Sequence, residues 1–341
     1  MLKVAVAGMG FMGKTHIGIY QKLKNVNLVA VCDFSEDRLN ITSLESGGNI
    51  QTSSDKIDLD YVKKYTDFGR MLEEGGFDFV DICLPTFLHV DTTLKAIDAG
   101  YHVFLEKPMA LDLAGTDAIL AKVRDTGSFL GVGHCLRYWP AYTEVKKILD
   151  EGRYGRVRYA EFSRLCARPT WAWNRWITDG KKSGGAALDL HIHDVDMAIF
   201  LFGLPSRLRS EGIFEESGNI SHISSLYHYT DGLIVNSTGG WICASGFGFN
   251  MRALYILERA TIELDYSKNP VLTVVPEGDE IYAPELRPED GYYYELEEFT
   301  EGLEQGKLSG HVTPESAAQA VRLCLEEVRS AEENREITID V

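Results

Sequence analysis

The hydrophobic positions of the first 133 residues come in short unbroken runs separated by stretches of helical period. LKVAVAG (2–8), NLVAVCD (27–33), DFVDICLP (78–85), HVFLEKP (102–108) and SFLGVGH (128–134) have strand length and few polar interruptions, as strands buried on both faces do. Helical patterns lie between them at 12–24, 90–99 and about 112–126. The polar stretch SLESGGNIQTSSDKIDLD (43–60) reads as an excursion or loop-rich insert. Strand–helix alternation at this spacing predicts a doubly wound parallel sheet.

The pattern changes after about residue 135. RVRYAEFSRLCA (156–167), SHISSLYHYT (221–230), GLIVNSTGGWI (232–242), RALYILERATIELDY (252–266) and VLTVVPE (271–277) read as longer strands with few helices between them. They predict a mostly antiparallel sheet with one face covered. Two helical stretches close the chain, at 292–306 and 313–333, the second opened by Thr313 as N-cap and Pro314 in its first turn. The expected division is a nucleotide-binding α/β domain over 1–133 and an α+β domain with a large open sheet over 134–341.

A length of 341 residues agrees with two domains. With 34 basic and 51 acidic side chains the formal charge is −17, which repels phosphate backbones and argues against a nucleic-acid partner. The opening apolar run is too short for a signal peptide, and no stretch reaches the roughly 18 apolar residues of a membrane helix. The six cysteines are scattered, with no CxxC pair, and read as reduced thiols in a cytoplasmic protein.

GMGFMG (8–13) fits G-x-G-x-x-G, ends a predicted strand and opens a predicted helix, and Asp33 ends the next strand twenty residues after Gly13. Gly8 permits the tight turn, Gly10 lets a pyrophosphate approach the backbone, and Gly13 lets helix and strand pack closely. This is the signature of a Rossmann dinucleotide site, with the phosphates on the helix N-terminus. Asp33 accepting from ribose hydroxyls favours NAD, and Arg38 nearby keeps NADP open.

FLEKPM (104–109) ends a strand at the edge where open parallel sheets bind ligands, so Lys107 is aimed at a nicotinamide. CLPTFLH (83–89) brings Pro85 and His89 to the same edge, His89 more as a hydrogen-bonding strut than a catalyst. In GGAALDLHIHDVD (184–196), Asp189 and His193 are four apart and share a helical face, with Asp196 near the same line and His191 on the other side. Such a helix separates His191 from His193, which argues against a metal site. His193 then suits a general base, with Asp189 orienting its ring. TWAWNRWIT (170–178) gathers Trp171, Trp173 and Trp176; either it covers a substrate with Trp173 and Trp176, or it packs loop on sheet.

Together GMGFMGKTH, ICLPTFLHVDTTLKAIDAGYHVFLEKPMA and GGAALDLHIHDVDMAIFLFG resemble the glucose–fructose oxidoreductase, inositol dehydrogenase and MocA family over nearly the whole chain. The resemblance implies an NAD(P)-dependent dehydrogenase or reductase of sugars, inositols or related polyols. Association into homodimers or homotetramers through the second domain's sheet is also implied. It implies that Lys107 contacts the reacting hydroxyl and the nicotinamide, and that Asp189 and His193 form the family's D-x-x-x-H pair. VGHCLRYWP (132–140) resembles a further motif, which makes Arg137 a cofactor-side and Tyr138 a substrate-side candidate. Phe11, Met12, Leu84, Pro85, Thr86, His89 and Glu106 complete the implied cofactor contacts. His191 stands where the family usually has a small residue, and its role is left open. An NAD-dependent glycosidase or lyase, which oxidises its substrate transiently and recycles the cofactor, is the alternative.

Overall fold

The computed structural model describes residues 1–40 and 57–339. Most of the stretch read as a polar excursion therefore lies outside the described residues. The chain divides into two compact units, residues 1–135 with 292–318, and residues 136–291 with 319–341. The boundary expected at 133/134 differs in one respect: residues 292–318 return to the first unit.

The first unit is built on six parallel strands, β1 (Leu2–Ala7), β2 (Val26–Cys32), β3 (Lys63–Tyr65), β4 (Phe79–Ile82), β5 (His102–Leu105) and β6 (Leu130–Val132). Their order is β3-β2-β1-β4-β5-β6, so the winding reverses between β1 and β4. That reversal is the crevice in which doubly wound sheets bind ligands. Helices α1 (Phe11–Tyr20), α2 (Glu36–Leu39), α3 (Phe68–Glu74), α4 (His89–Asp98) and α5 (Leu113–Thr126) fall between the strands. Later in the chain, α9 (Gly291–Gln305) sets Phe299 edge-on against Phe79 and Phe104 of the sheet. Gly131 on β6 makes room for it, since a Cβ there would stand 2.6 Å from the Phe299 ring.

The second unit carries an eight-stranded sheet. Its strands are β7 (Val157–Ala167), β8 (Arg207–Phe214), β9 (Ile220–His228), β10 (Ile234–Cys243), β11 (Phe249–Leu257), β12 (Ala260–Asp265), β13 (Leu272–Pro276) and β14 (Ile337–Thr338). All pairings are antiparallel except that of β7 with β10. The stretch 252–266, read as one strand, is a hairpin that turns at Glu258 and Arg259.

One row of paired positions, Ile337, Leu208, Tyr227, Val235, Ala160, Tyr255, Ile262 and Val274, crosses all eight strands and is buried throughout. The neighbouring row, Thr338, Arg207, His228, Ile234, Tyr159, Ile256, Thr261 and Val275, has no buried member. The sheet thus has one covered and one open face, as the alternating pattern predicts. Helices α6 (Pro140–Asp150), α7 (Gly180–Ser183) and α8 (Ile192–Phe202) belong to this unit, together with most of α10 (Pro314–Glu333). Thr313 and Ser316 cap α10 reciprocally, each side-chain oxygen accepting the other's N–H at 3.1 Å. Among the described residues no helix is long and apolar enough to cross a membrane.

Candidate active site

β1 delivers the glycine loop to the sheet's carboxyl edge, and α1 starts directly after it. Gly8 has φ +102°, and a Cβ on it would lie 2.4 Å from the Cys83 carbonyl oxygen, so only glycine fits. Gly13 is equally confined: its Cβ would stand 1.8 Å from the Gly8 carbonyl oxygen. Gly10 is different, with no described heavy atom within 4 Å of its Cβ position. Gly10, the N-cap residue of α1, has no side chain with which to cap the helix. Phe11 and Met12, both half-buried, follow at the helix start. An open glycine before an uncapped helix N-terminus fits a pyrophosphate.

Asp33 ends β2 and is buried. One carboxylate oxygen accepts the Met9 N–H at 2.9 Å and the other the Ser35 N–H at 3.0 Å, which ties it to the glycine loop. Arg38 on α2 reaches it at 3.7 Å. Gly10→Ala is expected to leave the melting temperature near wild type and to weaken NAD binding about tenfold, ~1.4 kcal/mol. Calorimetric titration of the folded variant checks this; wild-type affinity would show that the phosphates lie elsewhere.

The segments after β4 and β5 meet beside this loop. Leu84 and Pro85 are half-buried and Thr86 is buried. His89 departs from its expected cofactor role. Its ring is buried, with Nδ1 2.8 Å from the Pro108 carbonyl and Nε2 2.7 Å from the Leu84 carbonyl, so it ties the two loops together. Burial opposes its charge and holds its pKa below the ordinary value. Glu106 is buried and accepts the Lys107 N–H at 3.1 Å. Lys107 is the one residue of 103–110 that is not buried.

In the second unit, GGAALDLHIHDVD is not a uniform α-helix. Ala187–His191 form a π turn, and α8 begins after it. π turns inserted in helices are frequent at functional sites. Over 185–199 only Asp189 and His193 are not fully buried. The other polar residues there are committed to the core. Asp194 accepts both arms of the Arg164 guanidinium, at 2.9 and 3.0 Å. Asp196, expected near the working row, accepts from Arg137 at 2.6 and 2.8 Å, so Arg137 and Asp196 form a buried ion pair. Arg137 also stacks over Phe200, 4.9 Å from the ring centroid, an arrangement that holds the guanidinium inside this unit. Tyr138 beside it is half-buried.

His191 is fully buried, with Nε2 3.0 Å from Glu327 on α10. Tyr227 donates to the same Glu327 oxygen at 2.5 Å. Its bulk faces Gly239 of β10, where a Cβ would stand 2.7 Å from the imidazole. A large residue at 191 is thus matched by a missing side chain at 239, and His191 fastens α10 to the sheet. Burial opposes its charge, but Glu327 outweighs burial and raises its pKa.

The tryptophans divide. Trp176 packs on an apolar cluster of Cys166, Ala172, Ile177, Ala186, Leu190 and Trp241. Trp173 is 39% exposed. Between them Asn174 and Arg175 have positive φ, 46° and 52°, a strained turn that separates the two rings. The sequence reading named Glu106 only as an implied cofactor contact and passed over the buried His16 and Asp81 beside it. The signal was present: Asp81 interrupts an otherwise apolar strand run.

Residues 2–134 match the oxidoreductase family GFO_IDH_MocA, with its NAD-binding Rossmann fold, and residues 142–263 match the C-terminal domain of the same family. The chain belongs to the Gfo/Idh/MocA oxidoreductase family. As a member it is an NAD-binding oxidoreductase, and both halves of the fold agree. It is 27% identical to a scyllo-inositol 2-dehydrogenase (NAD(+)) of Bacillus subtilis, over 90% of this chain and 87% of the relative. It is also 27% identical to a 2,7-anhydro-N-acetylneuraminate hydratase of Mediterraneibacter gnavus, over 67% of this chain and 56% of that protein. The crystal structure of myo-inositol 2-dehydrogenase from Lactobacillus plantarum superposes with a TM-score of 0.81 at 21% identity, covering 99% of each chain.

Proposed function

We propose that this Gfo/Idh/MocA oxidoreductase transfers hydride between NAD and a hydroxyl-bearing carbon, or its carbonyl form, of a sugar, inositol or related polyol. The observation that carries the reading is selective exposure: Lys107, Asp189 and His193 each reach solvent from runs that are otherwise buried. A side chain held at the surface of such a run can meet a ligand. Bound NAD supplies the hydride acceptor. Lys107 hydrogen-bonds the reacting oxygen, His193 takes its proton during oxidation, and Asp189 orients the imidazole and stabilises its charged form. Tyr138, Trp173 and Trp176 are the further substrate-side candidates, Trp173 the more available because it is not packed in the core.

Asp33, placed by the glycine loop, supports NAD over NADP, since a carboxylate there repels a 2′-phosphate. The open sheet face, with Leu226, Ile234 and Ile256 exposed on it, supports assembly into a homodimer or homotetramer. Six free thiols support a reducing, cytoplasmic setting.

The hydratase relative favours one second reading, transient oxidation with elimination and return of the hydride. A panel of inositols, aldoses, sugar acids and anhydro-sugars, followed for NADH absorbance and for product together, separates the two. Net oxidation is expected to accumulate one NADH per product. Product without NADH establishes the cofactor-recycling reaction instead.

A further inference from the structure

His16, Asp81, Glu106 and Glu295 are buried titratable side chains that the proposed chemistry leaves unused, with half-buried Cys83 beside them. His16 lies on α1, Asp81 on β4 with Cys83 just beyond it, Glu106 after β5, and Glu295 on α9. His16 Nδ1 is 2.8 Å from Asp81 and Nε2 is 3.2 Å from Glu106 Oε1, with His16 and Asp81 wholly shielded from solvent. Asp81 also accepts from Tyr20 at 2.9 Å and from the Cys83 thiol at 3.3 Å. A carboxylate oxygen of Glu295 lies within 4.8 Å of the His16 and Glu106 ligand atoms. The other oxygen of Glu106, Oε2, accepts the Lys107 N–H.

The arrangement constrains the ring. A neutral imidazole offers one donor and one acceptor, so with a carboxylate at each nitrogen it would set lone pair against lone pair on one side. An imidazolium donates to Asp81 from Nδ1 and sets its charge beside Glu106, whose Oε1 lies 3.2 Å from Nε2 in ion-pair contact outside hydrogen-bond geometry. Burial alone opposes that charge, but Cys83 and Asp81 outweigh it, and the pKa of His16 is raised well above 6.5. Burial raises the Cys83 thiol well above its ordinary value, and the thiol donates to Asp81 at 3.3 Å. Burial likewise opposes ionisation of Glu106, yet the His16 contact, followed by the charges of His16 and Lys107, lowers its pKa.

We propose that His16, clamped between Asp81 and Glu106, is a positioning residue for Lys107, acting through the Glu106 carboxylate that anchors the Lys107 main chain. Asp81 and Tyr20 fix the ring, the ring fixes Glu106, and Glu106 fixes the one residue of its segment that reaches solvent. The kinetic consequence rests on the role given to Lys107 above; the structural consequence does not.

The test uses the full chain in three measurements. In 15N-histidine spectra both His16 nitrogens are expected to be protonated at pH 7; a neutral ring there would overturn the proposal. In His16→Gln and the nearly isosteric Glu106→Gln, the Lys107 amide is expected to exchange its hydrogen at least about tenfold faster, measured against global stability. Unchanged protection in a folded Glu106→Gln protein would also overturn it.

With whichever inositol or sugar the wild type oxidises, His16→Gln is expected to lose about ten- to a hundredfold in kcat at near-constant KM. The acid limb of its kcat–pH profile should move upward. The sign follows from the cluster: the wild-type cation persists until pH rises through the raised His16 pKa, so Glu106 stays ionised to low pH. Without the cation, buried Glu106 takes up its proton at a higher pH. Wild-type kcat in His16→Gln, where Lys107→Ala is inactive, refutes the positioning role. If Lys107→Ala itself keeps full turnover, the functional reading fails while the exchange and spectral results still decide the clamp.

Discussion

Arg164→Ala is expected to lower the unfolding free energy by about 3–5 kcal/mol, a large part of the margin a domain has. Arg164 is 2% exposed and Asp194 is 0% exposed. The guanidinium gives two parallel hydrogen bonds to Asp194, contacts the Met251 sulfur and lies 5.9 Å from the Phe249 ring centroid. Removing it strands a carboxylate in the core beside β7, and nothing in an alanine replaces the five donors. The penalty comes from the orphaned charge more than from the lost pair. Replacing both partners, Arg164→Met with Asp194→Leu, should therefore recover most of the loss. Urea unfolding of the two variants against wild type checks both statements. A single-variant loss under about 1 kcal/mol would mean that water reaches Asp194. Arg137 and Asp196 repeat the arrangement two residues along, so α8 is fixed to its unit by two buried guanidinium–carboxylate pairs.

Those pairs explain what the sequence could and could not reveal about GGAALDLHIHDVD. Helical spacing set Asp189 and His193 apart from His191, and exposure divides them the same way: the first two are half-buried and His191 is buried. Spacing put Asp196 in the wrong company, because the partner that claims it, Arg137, is 59 positions away. The fate of His191 depends on Glu327, Tyr227 and a missing side chain at Gly239, three distant contacts that no window along the chain contains. The π turn was equally invisible, since it adds one residue to the helix without altering the apolar pattern.

The same distinction holds for the fold. β1, β2, β4 and β5 announce themselves as apolar runs because both of their faces are buried. RALYILERATIELDY conceals its turn because the only break in it is the adjacent polar pair Glu258 and Arg259, neither of which is a turn-forming residue. Thr313 and Ser316, by contrast, make a cap whose chemistry lies within four residues, and the cap was readable. The return of α9 to the first unit rests on Phe299 meeting Phe79 and Phe104, a packing fact with no local sign. Asp81 was a sign of another kind: a carboxylate in a buried strand demands partners.

Lys107→Ala and His193→Ala are each expected to reduce kcat by about 10²- to 10⁴-fold, the range that loss of a positioned proton-transfer group produces. The two losses should not add. Both side chains are proposed to act on one oxygen, so once either is gone the other stabilises a step already failing, and the double variant should fall little below the worse single one. Asp189→Asn should cost less than His193→Ala, since it leaves the base in place and removes only its orientation and charge support. Neither Lys107 nor His193 is a core residue, so melting temperatures within a few degrees of wild type should accompany the lost turnover and separate chemistry from folding. NAD affinity gives a further division: Lys107→Ala should weaken it through the lost nicotinamide contact, whereas His193→Ala should leave it near wild type. Turnover within a few-fold of wild type for both variants, with the substrate found in the panel above, would remove Lys107 and His193 from the reaction and transfer the search for the base to Tyr138.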